Sequence, residues 1–326
     1  MQANFQKIVV LGTGGTIAGE SRSANEGLAY TAGQRGVAQL LEAVAGKTHS
    51  LPESLAGCQI ETEQVAQLDS KDMDFATWID LAKRCEQHLT QADVGALVIT
   101  HGTDTLEETA YFLSRVMTSE KPIVLTCAMR PANFKDADGP QNLRDALNVA
   151  AQLKGRGVWM VAAGEIHHSQ FVQKVHPTRL NAFDSGEHGA AGKVISDQIR
   201  WSPSWTSPLP EPLLDVAKLP SAENWPWVEI ILNHVQAGNR GLNCWVAAGL
   251  QGVVVAGTGN GAMSETLKQA LQKAQSHGVL VRVASRCSQG PVIATENHAF
   301  ETSGNLNAVK TRVALMLDIL SKQQSH

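Results

Sequence analysis

Short runs rich in valine and isoleucine recur along this chain, each followed by a longer amphipathic stretch, and that alternation restricts the fold more than any other feature. Lys7–Leu11 precedes Gly36–Val44, Ala96–Thr100 precedes Thr105–Met117, Pro122–Thr126 precedes Asn142–Leu153, and Gly157–Val161 closes the series. A strand that leads through a helix to the next strand is the βαβ unit, so the pattern predicts an α/β fold on a mostly parallel sheet. The run LVIT at 97–100 is apolar without alternation, as expected of a strand covered on both faces.

At 326 residues the chain exceeds the roughly 250–300 at which one hydrophobic core stops growing, which points to two domains. Residues 201–226 hold half of the 12 prolines, and proline neither continues a helix nor donates to a sheet ladder. The expected organisation is an N-terminal domain over 1–200, a linker over 201–226 and a C-terminal domain over 227–326. Strands at 228–232, 252–257 and 279–285 and helices near 264–274 and 307–320 repeat the α/β pattern in the second part.

Composition narrows the function classes. Hydrophobic residues at 43% and charged residues at 18% exclude a disordered chain. A net charge of -4 with no basic block argues against nucleic acid as a partner. No apolar run reaches the ~20 residues of a membrane span, and the opening MQANFQKIVVLG does not read as a signal peptide. The five cysteines are scattered and form no CxxC pair, which suits a reducing compartment. The expectation is a cytoplasmic protein with no membrane partner.

Two glycine- and threonine-rich turns stand at strand ends, where open α/β sheets bind ligands. In IVVLGTGGTIAG at 8–19, Gly12 and Gly14 start the G-x-G-x-x-G/A pattern of a dinucleotide site, but Ile17 occupies its third position and the following SRSANEGLAYTAG is polar and loop-like. The alternative is that Gly14 and Gly15 free backbone N–H groups for a developing oxyanion while Thr13 or Thr16 presents a hydroxyl. In ITHGTDTLEET at 99–109, Asp104 or Thr105 suits a helix cap and Glu107 and Glu108 suit a first turn. Capping does not explain why a second Gly-Thr element should stand at a second strand end.

TGGTIAG at 13–19 and HGTDTLEETA at 101–110 resemble the two signature motifs of the bacterial-type L-asparaginases. The similarity extends through Tyr30, DSKDM at 69–73, AMRP at 128–131, ADGPQNL at 137–143, Lys174, GTGNG at 257–261 and SGNLN at 303–307. The resemblance implies a larger N-terminal domain with a mostly parallel sheet and a smaller flavodoxin-like C-terminal domain. It also implies hydrolysis of the side-chain amide of asparagine, sometimes also glutamine, with no metal and no organic cofactor.

Carried over, it makes Thr16 the nucleophile, places Tyr30 on a lid over Glu20–Gly33, and groups Thr103, Asp104 and Lys174 as a second catalytic cluster. Gly15, Asp69, Ser70, Lys71 and Ala128 are the implied substrate-binding residues. Asn260, and Glu296 in a segment shorter than usual, would reach the active site of a neighbouring subunit in a homotetramer built from tight dimers. A threonine hydroxyl needs a base or a strongly preorganised site. Lys174 could relay a proton through Thr103, yet a carboxylate beside it favours the ammonium and opposes base action, so the working base stays open.

Each residue has a plainer role to weigh. Tyr30 could be a packing anchor, Lys174 a surface lysine, and Ser70 the cap of a helix beginning near Asp72. Lys71 stands where periplasmic relatives often carry glutamine, and a cation there bears on amino-acid preference. His167, His168 and His176 lack zinc spacing, no G-x-S-x-G elbow is present, and Trp201, Trp205, Trp225 and Trp227 suit a packing seam or a subunit contact. A nicotinamide-dependent oxidoreductase, a non-catalytic amino-acid sensor of the same fold and a broad glutaminase-asparaginase are the rival readings. An amidotransferase subunit with the same motifs would carry an additional N-terminal domain, whereas this chain begins at its first strand.

Overall fold

A computed structural model describes residues 7–23, 29–44, 51–203, 205, 211–238 and 240–324. The chain divides between Ala217 and Lys218, within the proline-rich segment, into two compact units.

The N-terminal unit is built on eight strands: β1 (Lys7–Gly14), β2 (Gln59–Leu68), β3 (Val94–Thr100), β4 (Pro122–Thr126), β5 (Gly157–Ala162), β6 (Glu165–His168), β7 (Gly192–Ile195) and β8 (Gln198–Trp201). They lie in the order β8-β7-β6-β5-β4-β3-β1-β2. The five strands from β2 to β5 run parallel, with Val10 opposite Thr62 on one side and Val98 on the other. The remaining three turn antiparallel at the far edge. Helices α1 (Val37–Val44) and α4 (Gly139–Gln152) cover one face, closing Val37, Leu40, Leu143 and Leu147 over Ile8, Val10, Ala96 and Val98. Helices α2 (Phe75–Leu89) and α3 (Leu106–Val116) lie on the sheet as well, Trp78 stacking on Phe112 at 4.8 Å between centroids. Sheet and helices thus bury β1, β3 and β4 almost completely, which is why those strands need no polar alternation.

In this order the chain steps outward from β1 to β2, then returns across β1 to add β3. The reversal leaves a crevice at the carboxyl ends of β1 and β3, the place where doubly wound sheets bind ligands. Both Gly-Thr motifs sit at that crevice.

Trp201 and Trp205 pack within this unit, ringing Trp159 at centroid distances of 5.8 and 6.3 Å, and Leu213 N–H bonds Arg115 O. Much of the segment read as a linker therefore packs on the N-terminal unit, where Trp201 and Trp205 form a seam with Trp159. Residues 204 and 206–210 of it lie outside the described residues.

The C-terminal unit has four parallel strands, β9 (Val228–Leu232), β10 (Gly252–Gly257), β11 (Leu280–Ser285) and β12 (Glu301–Thr302), arranged in chain order. Helices α5 (Arg240–Ala247) and α6 (Glu265–Ser276) bury Leu242, Leu267 and Leu271 against Val253, Val255, Val281 and Val283. Helix α7 (Ala308–Gln323), capped by the Asn307 carboxamide accepting Lys310 N–H, packs on β9, β10 and β11.

Candidate active site

The first motif turns sharply after β1. Gly14 and Gly15 take φ of 101° and 78°, the left-handed region that glycine enters without strain. A Cβ on Gly15 would lie 2.2 Å from Gly102 Cα, so the two motifs meet backbone to backbone. Gly15 N–H bonds Leu68 O at 2.7 Å, and Thr13 Oγ1 donates to Thr100 O at 2.9 Å, which ties the turn to both neighbouring strands. A single 3₁₀ turn, Thr16–Ala18, follows in place of the long helix a dinucleotide fingerprint requires.

That turn presents Thr16, 5% exposed, with Oγ1 2.6 Å from the Tyr30 hydroxyl. Tyr30 belongs to a two-residue strand, Tyr30–Thr31, paired antiparallel with Glu20–Ser21. The segment expected to form a lid therefore has a β-paired stem, while its residues 24–28 lie outside the described residues.

The second motif delivers Thr103 and Asp104 beside Lys174, whose Nζ is 2.8 Å from Thr103 Oγ1 and 2.6 Å from Asp104 Oδ1. Lys174 reaches this position on a two-residue strand, Gln173–Lys174, paired with Phe183–Asp184, and its N–H donates to Glu107 Oε1 at 3.2 Å. Lys174 is thus enclosed by the second motif, its side chain 17% exposed. Thr103 N–H meets no acceptor among the described residues, and the N–H groups of Thr16 and Ile17 open the 3₁₀ turn unspent. These donors are suited to an oxyanion.

Local capping explains less than the sequence suggested. Helix α3 begins after Thr105 without a side-chain cap: Asp104 pairs with Lys174, and Thr105 Oγ1 donates to Ser70 O at 2.7 Å. Ser70 does not cap a helix either. Asp69 caps the short turn Ser70–Asp72 and Asp74 caps α2, while Ser70 Oγ accepts Asp104 N–H at 3.1 Å. Lys71 lies exposed between the Asp69 and Asp72 carboxylates at 2.8 and 3.0 Å, and those contacts raise its pKa. Its charge is thereby compensated locally.

A polar column behind the second motif was not singled out from the sequence. Trp78 Nε1–H donates to Thr109 Oγ1 at 2.9 Å, and Thr109 Oγ1 lies 3.0 Å from His101 Nε2. His101 Nδ1 lies 2.7 Å from Gly102 O. A carbonyl only accepts, so Nδ1 carries the proton and Nε2 receives the Thr109 hydroxyl. Complete burial lowers the His101 pKa to about 4, which keeps the ring neutral as this pattern requires. The available signal was a histidine directly after an apolar strand and eight residues before a threonine on a helix.

Ala128, two residues beyond β4, is fully buried, with Asp138 accepting from Met129 and Arg130 N–H beside it. Asn260 lies in the C-terminal unit after β10, where its carboxamide pairs with the backbone of Ile293 at 2.9 and 2.7 Å. Glu296 is exposed in the same unit. His167 bonds Ser185 Oγ at 2.9 Å, His168 packs among Trp159, Phe171 and Trp205, and His176 Nδ1 accepts two backbone N–H groups. Among the described residues no group of three or more potential ligands could hold a metal ion. No described helix is long and apolar enough to cross a membrane.

Known proteins share this arrangement over nearly its full length. Residues 7–207 match the family model described as "Asparaginase, N-terminal", and residues 227–326 match "Glutaminase/Asparaginase C-terminal domain". A probable periplasmic L-asparaginase of Haemophilus influenzae is 38% identical over 97% of this chain and 89% of its own, and L-asparaginase 2 of Bacillus subtilis is 36% identical over 96% and 82%. The crystal structure of a probable cytoplasmic L-asparaginase from Campylobacter jejuni superposes with a TM-score of 0.86 at 32% identity, covering 98% of this chain and 97% of that one. With both of its units matched and both Gly-Thr motifs meeting at one crevice, the chain belongs to the asparaginase family.

Proposed function

We propose that the protein is an L-asparaginase that hydrolyses the side-chain amide of L-asparagine to L-aspartate and ammonia through a threonine acyl-enzyme. The observation that carries this reading is the pairing of Thr16 Oγ1 with Tyr30 Oη at one strand end and of Thr103 Oγ1 with Lys174 Nζ at the next. A buried hydroxyl with a proton-accepting partner at 2.6 Å, beside unspent backbone N–H donors, suits attack on a carbonyl.

Thr16 Oγ1 bonds the amide carbon and gives up its proton, for which the adjoining Tyr30 hydroxyl is the first relay. Negative charge on the carbonyl oxygen is met by the N–H groups of the Thr16 turn and of Thr103. Collapse breaks the C–N bond as nitrogen gains a proton and leaves as ammonia. Water then cleaves the Thr16 ester, releasing aspartate and restoring the hydroxyl. Thr103, Asp104 and Lys174 form the proton-handling cluster, and no metal or cofactor takes part.

Gly15, Asp69, Ser70, Lys71 and Ala128 line the substrate side. Asp69 and Ser70 suit the α-ammonium and α-carboxylate, and Lys71 is neutralised by its own acidic neighbours. Asn260 and Glu296 act on a neighbouring subunit's site in a homotetramer. A cytoplasmic location is supported by five free cysteines, none paired. The family matched by the C-terminal unit includes glutaminases as well as asparaginases, which keeps a glutaminase-asparaginase as the second reading.

The test is ammonia release from L-asparagine and L-glutamine, side by side at neutral pH, with Thr16→Ala as control. Release from asparagine that falls by about 10³-fold or more in the variant is expected for loss of a nucleophile. Equal release from both amides moves the protein to the second reading. No release, or a variant as active as the parent, refutes the proposal.

A further inference from the structure

The loop between β4 and α4 reaches across to the strand pair that carries Tyr30, a contact to which the reaction outlined above assigns no part. Asn133 stands in a turn closed by Phe134 N–H on Pro131 O at 3.0 Å. Its Oδ1 accepts Ser21 N–H at 2.9 Å, and its Nδ2 donates to Ser21 O at 2.7 Å. The two backbone partners settle which end of the carboxamide is which, since an N–H only donates and a C=O only accepts. Ser21 Oγ adds a third bond to Asn133 Oδ1 at 3.1 Å. One residue earlier in the same turn, Ala132 N–H donates to Gly19 O at 2.8 Å.

Ser21 lies opposite Tyr30 in the antiparallel pair, and Glu20 lies opposite Thr31. The N–H and C=O of one residue leave the same edge of an extended strand, so a Ser21 that gives both to Asn133 turns neither toward Tyr30. Ser21 and Tyr30 therefore form the closely spaced, non-hydrogen-bonded position of the pair, and the Asn133 carboxamide stands where a further strand would lie. Strands of two residues hold each other poorly without such support. Gly19, also held by this loop, lies against the Tyr30 ring: a Cβ there would be 2.9 Å from Tyr30 Cδ2. Beyond Tyr30, Gly33 N–H bonds Gly15 O at 3.1 Å. Tyr30 thus sits between an anchor on the first motif and a strand whose place is set by residues 132 and 133.

We infer that Asn133 is a positioning residue that keeps the Tyr30 hydroxyl on Thr16 by fastening the partner strand of Tyr30 to the loop after β4. The inference rests on the amide-hydrolysis reading given above, in which Tyr30 takes the Thr16 proton. Asn133 itself touches neither hydroxyl. It acts through the Glu20–Ser21 strand, and the quantity it controls is the 2.6 Å separation of Thr16 Oγ1 from Tyr30 Oη. With the carboxamide removed, Ser21 keeps its pairing with Tyr30 but loses its hold on the rest of the unit, so the two-residue pair is free to shift as a body and to carry the phenol off the threonine.

The experiment is a double-mutant cycle on the full-length protein, read as kcat/KM for ammonia release from L-asparagine. Asn133→Ala in the parent should lower kcat/KM about 10- to 100-fold, the scale of an ångström-size misplacement at a reacting group. In the Tyr30→Phe background the hydroxyl is already gone, and the same change should cost less than about 2-fold, because residues that act through one group are not additive. A fall of equal fold in both backgrounds, which a loop that only supports the fold would give, overturns the inference, and so does an unchanged parent reaction. Should Asn133→Ala not fold, Asn133→Asp keeps the shape and the acceptor for Ser21 N–H but sets a carboxylate oxygen against Ser21 O, and it must show the same dependence on Tyr30. A parent protein that releases ammonia from neither L-asparagine nor L-glutamine refutes the amidohydrolase reading instead, so the two failures are told apart.

Discussion

Two buried titratable groups of the N-terminal unit oppose one another in their effect on stability, and removing one should expose the other. His101 is pushed down to about 4 by burial, against an ordinary value near 6.5. Between those values the unfolded chain holds a proton that the folded protein lacks, so stability rises with pH, by about 3 kcal/mol across the window. Asp145 on α4, 4% exposed, is pushed up to about 6 from 3.8, chiefly by burial and further by Asp197, while the Gln141 carboxamide and Arg144 act the other way. There the folded protein holds the extra proton, so stability falls as pH rises, again by about 3 kcal/mol. From about pH 4.5 to 6 the slopes cancel, and the parent protein should vary by less than about 1 kcal/mol from this pair. Asp145→Asn keeps the carbonyl oxygen for Gln141 Nε2, now 2.8 Å from Oδ1, but removes the titration. The variant should lose about 2 kcal/mol between about pH 6 and 4.5, roughly 1.4 kcal/mol per unit. Equilibrium unfolding in urea at several pH values measures this, with peptide-level hydrogen exchange assigning the transition to the N-terminal unit. A variant whose stability profile stays parallel to the parent's would refute the assignment of opposed protons to His101 and Asp145. Below pH 4.5 Glu165, held down to about 2 by His167 first and Lys193 second, adds its own acid loss in both proteins, so the comparison belongs above that point.

Other perturbations test the site's architecture. Thr109→Val keeps the shape of the side chain but strands Trp78 Nε1–H and His101 Nε2, so it should destabilise the protein by about 2–4 kcal/mol in urea unfolding. Gly15→Ala drives a methyl against the Gly102 backbone at a φ of 78°, and should abolish ammonia release while thermal unfolding shows a markedly lower midpoint. Tyr30→Phe removes the partner of the Thr16 hydroxyl and should lower kcat by about 10²-fold or more, on the scale of a lost general acid or base, with an unchanged melting temperature.

The parts of the fold that could be read from the sequence are those where one physical demand dominates. Strands β4 and β10 fall on the expected residues, 122–126 and 252–257, because burial on both faces requires an uninterrupted apolar run. Strand β2, QIETEQVAQL, was missed because an edge strand carries polar residues that need no burial, and β6 to β8 because short antiparallel strands at the opposite edge carry little apolar signal. The site was legible in a different way. Thr16, Tyr30, Thr103, Asp104 and Lys174 stand in two hydrogen-bonded groups at adjoining strand ends, but Tyr30 and Lys174 are separated from their partners in sequence and only the family resemblance pointed to them. Asp104, Thr105 and Ser70 show why local reasoning stops short. Each is a good helix cap by residue type, yet each spends its side chain on a distant partner instead: Lys174 for Asp104, the Ser70 carbonyl for Thr105, and Asp104 N–H for Ser70. A local cap contributes about 1 kcal/mol and needs only neighbouring residues, so any of them could have served as one. Helix α3 gives up that stabilisation and is held instead by the packing of Leu106, Phe112 and Leu113, all fully buried. The polar groups freed in this way bind the β3 loop to the segment at Ser70 and to Lys174, while Gly15 N–H on Leu68 O and Thr13 Oγ1 on Thr100 O tie the β1 loop to the neighbouring strand ends.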